Sequence, residues 1–309
     1  MDRRFIKVNS FVLMFLLVAT VLAACSMEIS EFGIISGADA PVSITNNGFE
    51  VHFIDVGQAD SILIQSKGSA MLIDAGNNAD ADLVVNYLKK QGIKKLDYVI
   101  GTHPHEDHIG GLDAVINTFD IGKLYMPKVT HTTKTFKDVI KAVKNKGLKI
   151  SAPVVGDTFK LGDAKVIILA PNSDKYKDLN NYSIVVKIIY GDISYLFTGD
   201  AEDISEREMI ENRLDLSADV LKVGHHGSHS STTDEFLNKV KPKYAVIMCG
   251  KDNDYGHPHK ETMDKLKQRR IQVYRTDESG TIVSVSDGKN IAFSVRPGSY
   301  SYPETNARK

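Results

Sequence analysis

The chain has 309 residues, of which 42% are hydrophobic and 25% are charged, and its formal net charge is −1. This length and composition are typical of a globular protein with a sizeable core, and they exclude an intrinsically disordered chain. The charge shows no overall basic excess of the kind that attracts proteins to nucleic acid. The chain has only two cysteines, Cys25 and Cys249, which excludes a disulfide scaffold.

The first 24 residues have the pattern of an export signal. Three basic residues precede an apolar stretch over 11–21 that is short for a membrane span, and Leu22-Ala-Ala-Cys25 follows. This pattern resembles a bacterial lipoprotein signal, which implies that residues 1–24 are removed and that Cys25 is lipidated. Acyl chains on Cys25 would anchor the protein to the cell membrane, outside the cytoplasm. An ordinary cleaved signal peptide and an uncleaved anchor are the alternatives.

Three further segments follow the signal. Residues 25–47, with Gly, Ser and Asn, predict a tether, 48–296 a folded domain, and 297–309 a C-terminal tail. In the domain, apolar runs bounded by Gly and Asp predict strands at 51–55, 61–65, 70–74, 96–100, 165–169, 183–190, 193–197, 220–223, 244–249, 271–275, 281–285 and 291–295. Helical periodicity appears at 79–91, 108–119, 201–212, 232–240 and 260–270. Strands grouped around such helices predict two mixed β-sheets covered by helices.

The densest group of metal-ligand residues follows the strand at 96–100. His103, His105, Asp107 and His108 fall within six positions, and imidazole with carboxylate suits zinc, manganese or iron. Alternation along an extended loop points His103 and His105 to one side, where they can share an ion. Asp107 and His108 lie past the turn and can reach a second ion. A polar surface loop is the alternative interpretation.

Further candidate ligands lie at later strand ends. Asp200 follows a strand and Gly199, so its carboxylate can bridge two cations, although it can also simply cap the next helix. The pair His225 and His226 is flanked by glycines. Since adjacent side chains diverge, one imidazole can bind metal while the other faces substrate. His257, between Gly and Pro, can complete the shell of the second ion.

Acidic residues earlier in the chain are candidates for supporting roles. Asp74 ends a strand beside Gly76, where it can hold a ligand histidine by hydrogen bond. Asp55 and Asp60, around Gly57 and Gln58, are further candidates for contact with the site or substrate. Turn formation is an equally good interpretation of these two acids.

Together these motifs resemble the metallo-β-lactamase superfamily, and in particular the metallo-hydrolase domain of ComEC-type DNA-uptake proteins. Phosphorylcholine esterases of cell surfaces share the pattern. The resemblance spans roughly 48–296 and implies an αββα sandwich with a two-metal site along one edge. The motifs that carry it are Phe53-Ile-Asp-Val-Gly-Gln-Ala-Asp-Ser61, Leu72-Ile-Asp-Ala-Gly76, Asn180-Asn-Tyr-Ser183, His225-His-Gly-Ser228 and Gly256-His-Pro258, together with the histidine loop.

The resemblance also implies roles for the site residues. The first metal would be held by His103, His105 and one of the His225–His226 pair, which supplies a third histidine that lactamases carry elsewhere. The second metal would be held by Asp107, His108 and His257, with Asp200 bridging. The absence of a lactamase-type third histidine weakens a β-lactamase or lactonase assignment and favours phosphodiester hydrolysis.

Substrate-side roles complete the expected mechanism. The other histidine of the pair would bind a phosphate oxygen or protonate the leaving group, beside the catalytic Asp107. We expect hydrogen bonds to the substrate from Asn181, Ser183 and the backbone around Ser228.

Three functions compete on these observations. The first is a membrane-anchored DNA phosphodiesterase with two divalent ions, which could be zinc, manganese or iron. The second is an esterase of phosphorylcholine or teichoic-acid phosphodiesters, and the third is a metal-stabilised surface protein without catalysis. No obligate protein partner is evident. A basic stretch suits DNA, although it is equally a solvated helix face; it comprises Lys123, Lys128, Lys134, Lys137, Lys141, Lys144, Lys146 and Lys149.

Overall fold

The computed structural model of the protein describes residues 48–303. The predicted signal segment 1–24, Cys25 with the tether 25–47, and the last six residues, 304–309, lie outside the described residues. No helix within 48–303 is long and apolar enough to cross a membrane.

Two mixed sheets form the centre of the domain. The first has eight strands in the order β15-β14-β1-β2-β3-β4-β5-β6, and the second has seven in the order β13-β12-β11-β10-β9-β8-β7. The prediction of two mixed sheets is confirmed. The strands are β1 Phe49–Phe53, β2 Ile62–Ser66, β3 Ser69–Ile73, β4 Lys95–Ile100, β5 Asp120–Tyr125, β6 Ile150–Ser151, β7 Thr158–Leu161, β8 Ala164–Ala170, β9 Val185–Tyr190, β10 Ile193–Phe197, β11 Val220–Lys222, β12 Tyr244–Ile247, β13 Gln272–Arg275, β14 Ile282–Ser286 and β15 Ile291–Phe293.

Helices cover the outer face of each sheet, which completes the four layers of an αββα sandwich. One apolar core lies between the sheets, a second beneath α1, α3 and α4, and a third beneath α5, α6 and α7. The helices are α1 Ala81–Lys90, α2 Glu106–Ile109, α3 Leu112–Thr118, α4 Lys134–Asn145, α5 Asp203–Glu211, α6 Asp234–Val240, α7 Lys260–Gln268 and α8 Thr276–Ser279.

Parallel strands bring the candidate site residues to one edge. Strands β3 to β6 run parallel in the first sheet, and β10 to β13 run parallel in the second. Their carboxyl ends carry the loops that follow β3, β4, β10, β11 and β12, and these loops contain the sequence-predicted ligands. We call this the ligand edge of the domain.

The helix predicted over 108–119 is divided in the structure. It breaks between α2 and α3 at Gly110 and Gly111, which lie against the loop after β3. A Cβ on Gly110 would be 2.2 Å from the backbone carbon of Asn77, and a Cβ on Gly111 would be 2.4 Å from the Ala75 oxygen. Close backbone approach at the glycines therefore fixes the break beside the histidine loop.

The structure also contains elements that the sequence patterns did not predict. Strands β5, β6 and β7 were absent from the prediction because β6 and β7 have only two and four residues, and because Asp, Gly and Lys interrupt the apolar pattern of β5. The segment after residue 296 is bound to the domain: the Gly298 amide donates to the Val273 oxygen at 2.7 Å, and the Tyr300 hydroxyl donates to the Ile271 oxygen at 2.6 Å.

Candidate metal centre

Asp200 lies at the centre of the candidate site. It is buried behind the end of β10, and its Oδ2 atom faces the Nε2 atoms of four imidazoles. These atoms lie 3.2 Å away in His108, 3.7 Å in His226, 3.7 Å in His225 and 3.8 Å in His103. A single carboxylate thus joins the histidine loop of the first sheet to the paired histidines of the second.

The histidine loop is anchored from below by Asp74 and Thr102. Asp74 Oδ2 accepts from the His108 Nδ1 at 2.8 Å and from the Thr102 hydroxyl at 2.7 Å, and Asp74 Oδ1 accepts from the Thr102 amide at 2.8 Å. Because the Thr102 hydroxyl donates to Asp74, its oxygen can accept from His103 Nδ1, which lies 3.1 Å away. When neutral, both rings carry their proton on Nδ1 and present the Nε2 lone pair to the site.

His226 is held in the same orientation from the second sheet. Its Nδ1 donates to the Met248 carbonyl at 2.9 Å, and its Nε2 lies 3.2 Å from Asp107 Oδ2. Asp60 Oδ1 lies 3.4 Å from the same Nδ1, and the Asp60 carboxylate forms a buried ion pair with Lys222. His226 therefore also directs its Nε2 toward Asp200.

The donor set fits a divalent cation. Ligand atoms of Asp107, His108, Asp200 and His226 all lie within 4.8 Å of one another. Among them, Asp200 Oδ1 and His108 Nε2 are buried and have no hydrogen-bond partner within residues 48–303. Buried polar atoms without partners are costly, and a bound cation would satisfy both.

The pKa shifts within the cluster also favour a bound divalent cation. Burial raises the pKa of the Asp200 carboxyl, but the imidazoles of His108 and His226 outweigh it and hold that pKa well below its usual range. Burial lowers the pKa of His226, but the Asp200 and Asp60 carboxylates outweigh burial and raise it to about 10. The carboxylates thus stabilise positive charge in the site, and a divalent cation can supply that charge.

The two adjacent histidines diverge, as expected from the sequence. Both have positive φ, 48° at His225 and 54° at His226, and their ring centroids are 6.1 Å apart. The half-buried His225 turns to Glu202, whose Oε1 lies 3.4 Å from its Nδ1. The expected grouping changes accordingly: His226 joins Asp107 and His108, which the sequence had assigned to the other ion.

His103 and His105 form the opposite end of the site. His103 Nε2 lies 3.0 Å from His105 Nδ1, and the rings are nearly perpendicular, with centroids 4.8 Å apart. Burial, together with the charge of His108, holds the pKa of His103 well below its usual range. A neutral His103 beside the half-exposed His105 is suited to share one ion, as expected from alternation in the loop.

His257 stands beside the cluster but outside its 4.8 Å set. Its ring lies 6.1 Å from His226 and 5.6 Å from His225 by centroid. The Gln58 carbonyl accepts from the Gly250 amide at 3.0 Å, so the Gln58 Nε2 group faces His257 Nδ1 at 3.1 Å. With Nδ1 accepting, the neutral ring carries its proton on Nε2, which differs from the metal-ligand role expected for this residue.

Asn181 and Ser183, which were expected to bind substrate, are buried, and their side chains already form hydrogen bonds within the protein. Asn181 Oδ1 accepts from the amides of Glu202 and Ser205 at 3.3 and 3.2 Å, which fixes the start of α5. Ser183 Oγ accepts from the Asp200 amide at 3.1 Å and lies 3.3 Å from His103 Nδ1. Ser183 therefore positions two candidate ligands from beneath the site.

Ser228 and Asp55 also lie in different surroundings from those expected. The Ser228 amide donates to the His225 carbonyl at 2.8 Å, so it is not free to bind substrate. Asp55 Oδ1 accepts from the Gly57 amide at 3.1 Å, which is the turn-forming alternative. The adjacent candidate Asp60 reaches the cluster instead, because it is buried behind His226 and His108.

Lys222 and Glu202 are the residues that sequence reasoning missed. Lys222 is fully buried at the end of β11, pairs with Asp60 and lies 3.4 Å from the Gly199 carbonyl. Its signal was a lysine inside an apolar strand, directly before the paired histidines. Glu202 gave no such signal, because an acid in the first turn of a helix is common.

Comparison with known proteins places the chain in a family. The metallo-beta-lactamase superfamily model matches residues 54–251. The chain belongs to the metallo-β-lactamase superfamily. The predicted family and αββα fold are therefore confirmed, and with the candidate metal site the chain is a hydrolase of this superfamily whose site suits divalent metal ions.

Relatives and solved structures agree with this placement. ComE operon protein 3 of Bacillus subtilis is 33% identical over 266 residues, covering 80% of this chain and 34% of that protein. Competence protein ComA of Neisseria gonorrhoeae is 29% identical over 244 residues, covering 78% and 33%. The chain thus spans about a third of the length of these relatives. The metallo-beta-lactamase fold protein YhfI of Bacillus subtilis shares the fold, with a TM-score of 0.52 and 17% identity over 78% of this chain and all of YhfI.

Proposed function

We propose that this protein is a metal-dependent phosphodiesterase that acts on DNA, exported and anchored to the membrane through Cys25. The observation that carries the proposal is the convergence of four imidazoles on the Asp200 carboxylate at the edge shared by both sheets. Similarity to proteins named for competence supports DNA as the substrate.

Two divalent ions, of zinc, manganese or iron, are the proposed cofactors. Asp107, His108 and His226 would hold one ion, His103 and His105 the other, with Asp200 between them. The chemistry that bound divalent cations supply is Lewis acidity, which activates water near neutral pH and neutralises phosphate charge.

The remaining histidines suit the substrate side. His225 is half-exposed, and Glu202, 3.4 Å from its Nδ1, orients the ring so that it can hand a proton to the leaving oxygen. His257 presents a protonated Nε2, and burial, with the nearby His226, lowers its pKa to about 3, so the ring stays neutral and can donate to a phosphate oxygen.

Lysines on α4 support a polyanionic substrate. This helix follows β5 and so begins at the ligand edge. Lys137, Lys141 and Lys144 are exposed on one face of α4, and none has a carboxylate within 4.0 Å in the described part of the chain. Unpaired lysines at i, i+4 and i+7 form a row that can follow a phosphate backbone.

One experiment tests the activity. The protein is loaded with zinc or manganese, its metal content is measured, and it is given single-stranded DNA, duplex DNA, a phosphorylcholine ester and nitrocefin in parallel. We expect DNA cleavage with two ions per chain, and loss of metal and cleavage in His105→Ala. Full phosphodiesterase activity in His105→Ala would contradict the proposed site.

The membrane anchor has a separate test. Cells expressing the protein are labelled with radioactive palmitate, and we expect label on the wild type but not on Cys25→Ala. Label on neither protein, or release of the wild type without detergent, would reject the anchor while leaving the activity intact.

A second candidate is hydrolysis of phosphorylcholine-type diesters. Tyr255 is 68% exposed and stacks on His257 with ring centroids 5.6 Å apart. An exposed aromatic face beside the site can contact a quaternary ammonium group. The phosphorylcholine ester in the same assay distinguishes this candidate from DNA cleavage.

A further inference from the structure

A small cavity lies beside the candidate metal centre and takes no part in it. Its volume is about 140 Å³, and its walls are Lys128, Pro153, Pro171, Tyr182 and the loop 172–174. Two prolines and a tyrosine are among these residues. A cavity of this size accommodates one aromatic ring, since engineered cavities of about 150 Å³ bind benzene.

The cavity belongs to the ligand edge. Lys128 follows the carboxyl end of β5, Pro153 follows β6, and Pro171 follows β8, which ends where the antiparallel β9 begins. Tyr182 immediately precedes Ser183, whose hydroxyl lies 3.3 Å from His103 Nδ1. A substrate bound at the metal centre can therefore extend into this cavity.

The aromatic wall is held rigidly. The Tyr182 hydroxyl accepts from the Tyr176 amide at 3.0 Å, and the two rings meet edge to face with centroids 5.1 Å apart. Tyr176 in turn accepts from the amides of Asn172 and Ser173 and donates to Glu208. A ring fixed by its neighbours loses little entropy when a ligand stacks on it.

Asp174 places a carboxylate on the cavity wall, and Lys128 places a cation there. Lys128 is exposed, and no carboxylate lies within 4.0 Å of its Nζ in the described residues, whereas Lys134 is paired with Asp138. Two other polar walls are committed elsewhere: Asn172 Nδ2 donates to the Leu169 carbonyl, and the Ser173 hydroxyl donates to Glu208. The free cation beside a fixed aromatic ring matches an aromatic group that carries a phosphate.

We propose that this cavity is the subsite for the nucleoside next to the scissile phosphate, where the base stacks on Tyr182 and the following phosphate pairs with Lys128. This inference rests on the proposed phosphodiesterase function and names its substrate class. A cationic head group fits less well, because the cavity has one aromatic wall and a lysine, whereas ammonium recognition uses several aromatic walls.

The test compares three substrates with the full chain. Methyl p-nitrophenyl phosphate has no base, thymidine 5′-(p-nitrophenyl phosphate) adds one, and its 3′-phosphorylated form adds a second phosphate. We expect Tyr182→Ala to lower the preference for the thymidine ester over the methyl ester, as a ratio of kcat/KM, about tenfold, since stacking is worth about 1–3 kcal/mol per base. Tyr182→Phe should keep most of that preference.

Lys128→Ala should remove the advantage of the 3′-phosphate. The matched control is Lys94→Ala, because Lys94 is also exposed but precedes β4 and so lies at the opposite edge. If Tyr182→Ala fails to fold, Tyr182→Leu is used instead, because leucine occupies the same part of the cavity wall without an aromatic ring.

The outcomes separate this inference from the proposed function. If the wild type cleaves both esters and Tyr182→Ala keeps the same ratio, the subsite is wrong and the phosphodiesterase stands. If the wild type cleaves neither ester, the function fails, and calorimetric binding of thymidine 3′,5′-bisphosphate decides the subsite. Equal affinity in wild type and Tyr182→Ala would then overturn it.

Discussion

His108 Nε2 lies 3.2 Å from Asp200 Oδ2, and this contact joins the two sheets at the ligand edge. His108 lies in α2, which follows β4 of the first sheet, and Asp200 follows β10 in the second. Each residue is fixed from behind, His108 by Asp74 and the Asp200 amide by Ser183. The metal centre is therefore built where the two halves of the sandwich meet.

Replacing the central carboxylate should empty the site. Asp200→Asn removes the charge that faces four imidazoles, and we expect metal affinity and activity to fall at least ~10-fold. Metal content by mass spectrometry and cleavage rates measure the effect. The matched control is Asp203→Asn, an exposed acid three residues later, which should match the wild type. Full metal occupancy in Asp200→Asn would contradict the site.

The paired histidines should separate metal binding from catalysis. His226→Ala should lose metal, because its Nε2 lies beside Asp107 and its Nδ1 is fixed by the Met248 carbonyl. His225→Ala should retain most of the metal and lower kcat, because His225 faces Glu202 and solvent. Metal titration and kcat for the two variants check this division. Equal loss of metal in the two variants would show that His225 and His226 are both metal ligands.

Ser183→Ala distinguishes positioning from substrate binding. The buried hydroxyl supports the Asp200 amide and lies beside His103 Nδ1, so its removal should weaken metal binding about tenfold. With saturating metal, KM should stay near the wild-type value. A raised KM at unchanged metal affinity would instead restore a role for Ser183 in substrate contact.

Glu206 should make stability depend on pH. Burial raises its pKa from 4.5 to about 7, although it accepts hydrogen bonds from Thr232 and Thr233. Because the folded-state pKa exceeds the unfolded one, the folded state holds an extra proton between these values. Its contribution to the free energy of unfolding is complete below about pH 4.5 and is lost as pH rises through 7.

The variant Glu206→Gln isolates that contribution. Glutamine keeps the shape but cannot ionise, so wild type should lose on the order of 3 kcal/mol relative to the variant between pH 4.5 and 7.5. Denaturant unfolding of both proteins across this range measures the difference. A difference that does not change with pH would show that Glu206 keeps an ordinary pKa.

The α4 lysines predict salt-dependent DNA binding. Changing Lys137, Lys141 and Lys144 together to Glu should abolish DNA affinity. The affinity of the wild type should fall steeply as the salt concentration rises, because binding to DNA releases counterions. The control triple variant changes Lys89, Lys90 and Lys94, which are exposed at the opposite end of the domain, in the last turn of α1 and just after it. Unchanged affinity in the α4 variant would identify these lysines as a solvated face.

The sequence alone determined much of the fold and the composition of the site. Apolar runs that end in Asp or His predicted both the strands and the ligand edge, because parallel strands deliver their carboxyl ends to one side of a sheet. The patterns failed where a strand is short or interrupted: β7 has only four residues, and Gly122 with Lys123 interrupts the apolar alternation of β5.

Only the tertiary structure decided which atoms face the site. Positive φ at His225 and His226 sends adjacent rings to different neighbours, and burial commits Asn181 and Ser183 to the backbone of Asp200 and α5. Lys222 acquires its role because Asp60, far away in sequence, is buried against it. The spacing of residues along the chain indicates which residue types lie near one another. The direction of a side chain and the tautomer of a histidine depend on hydrogen bonds between segments that only folding brings together.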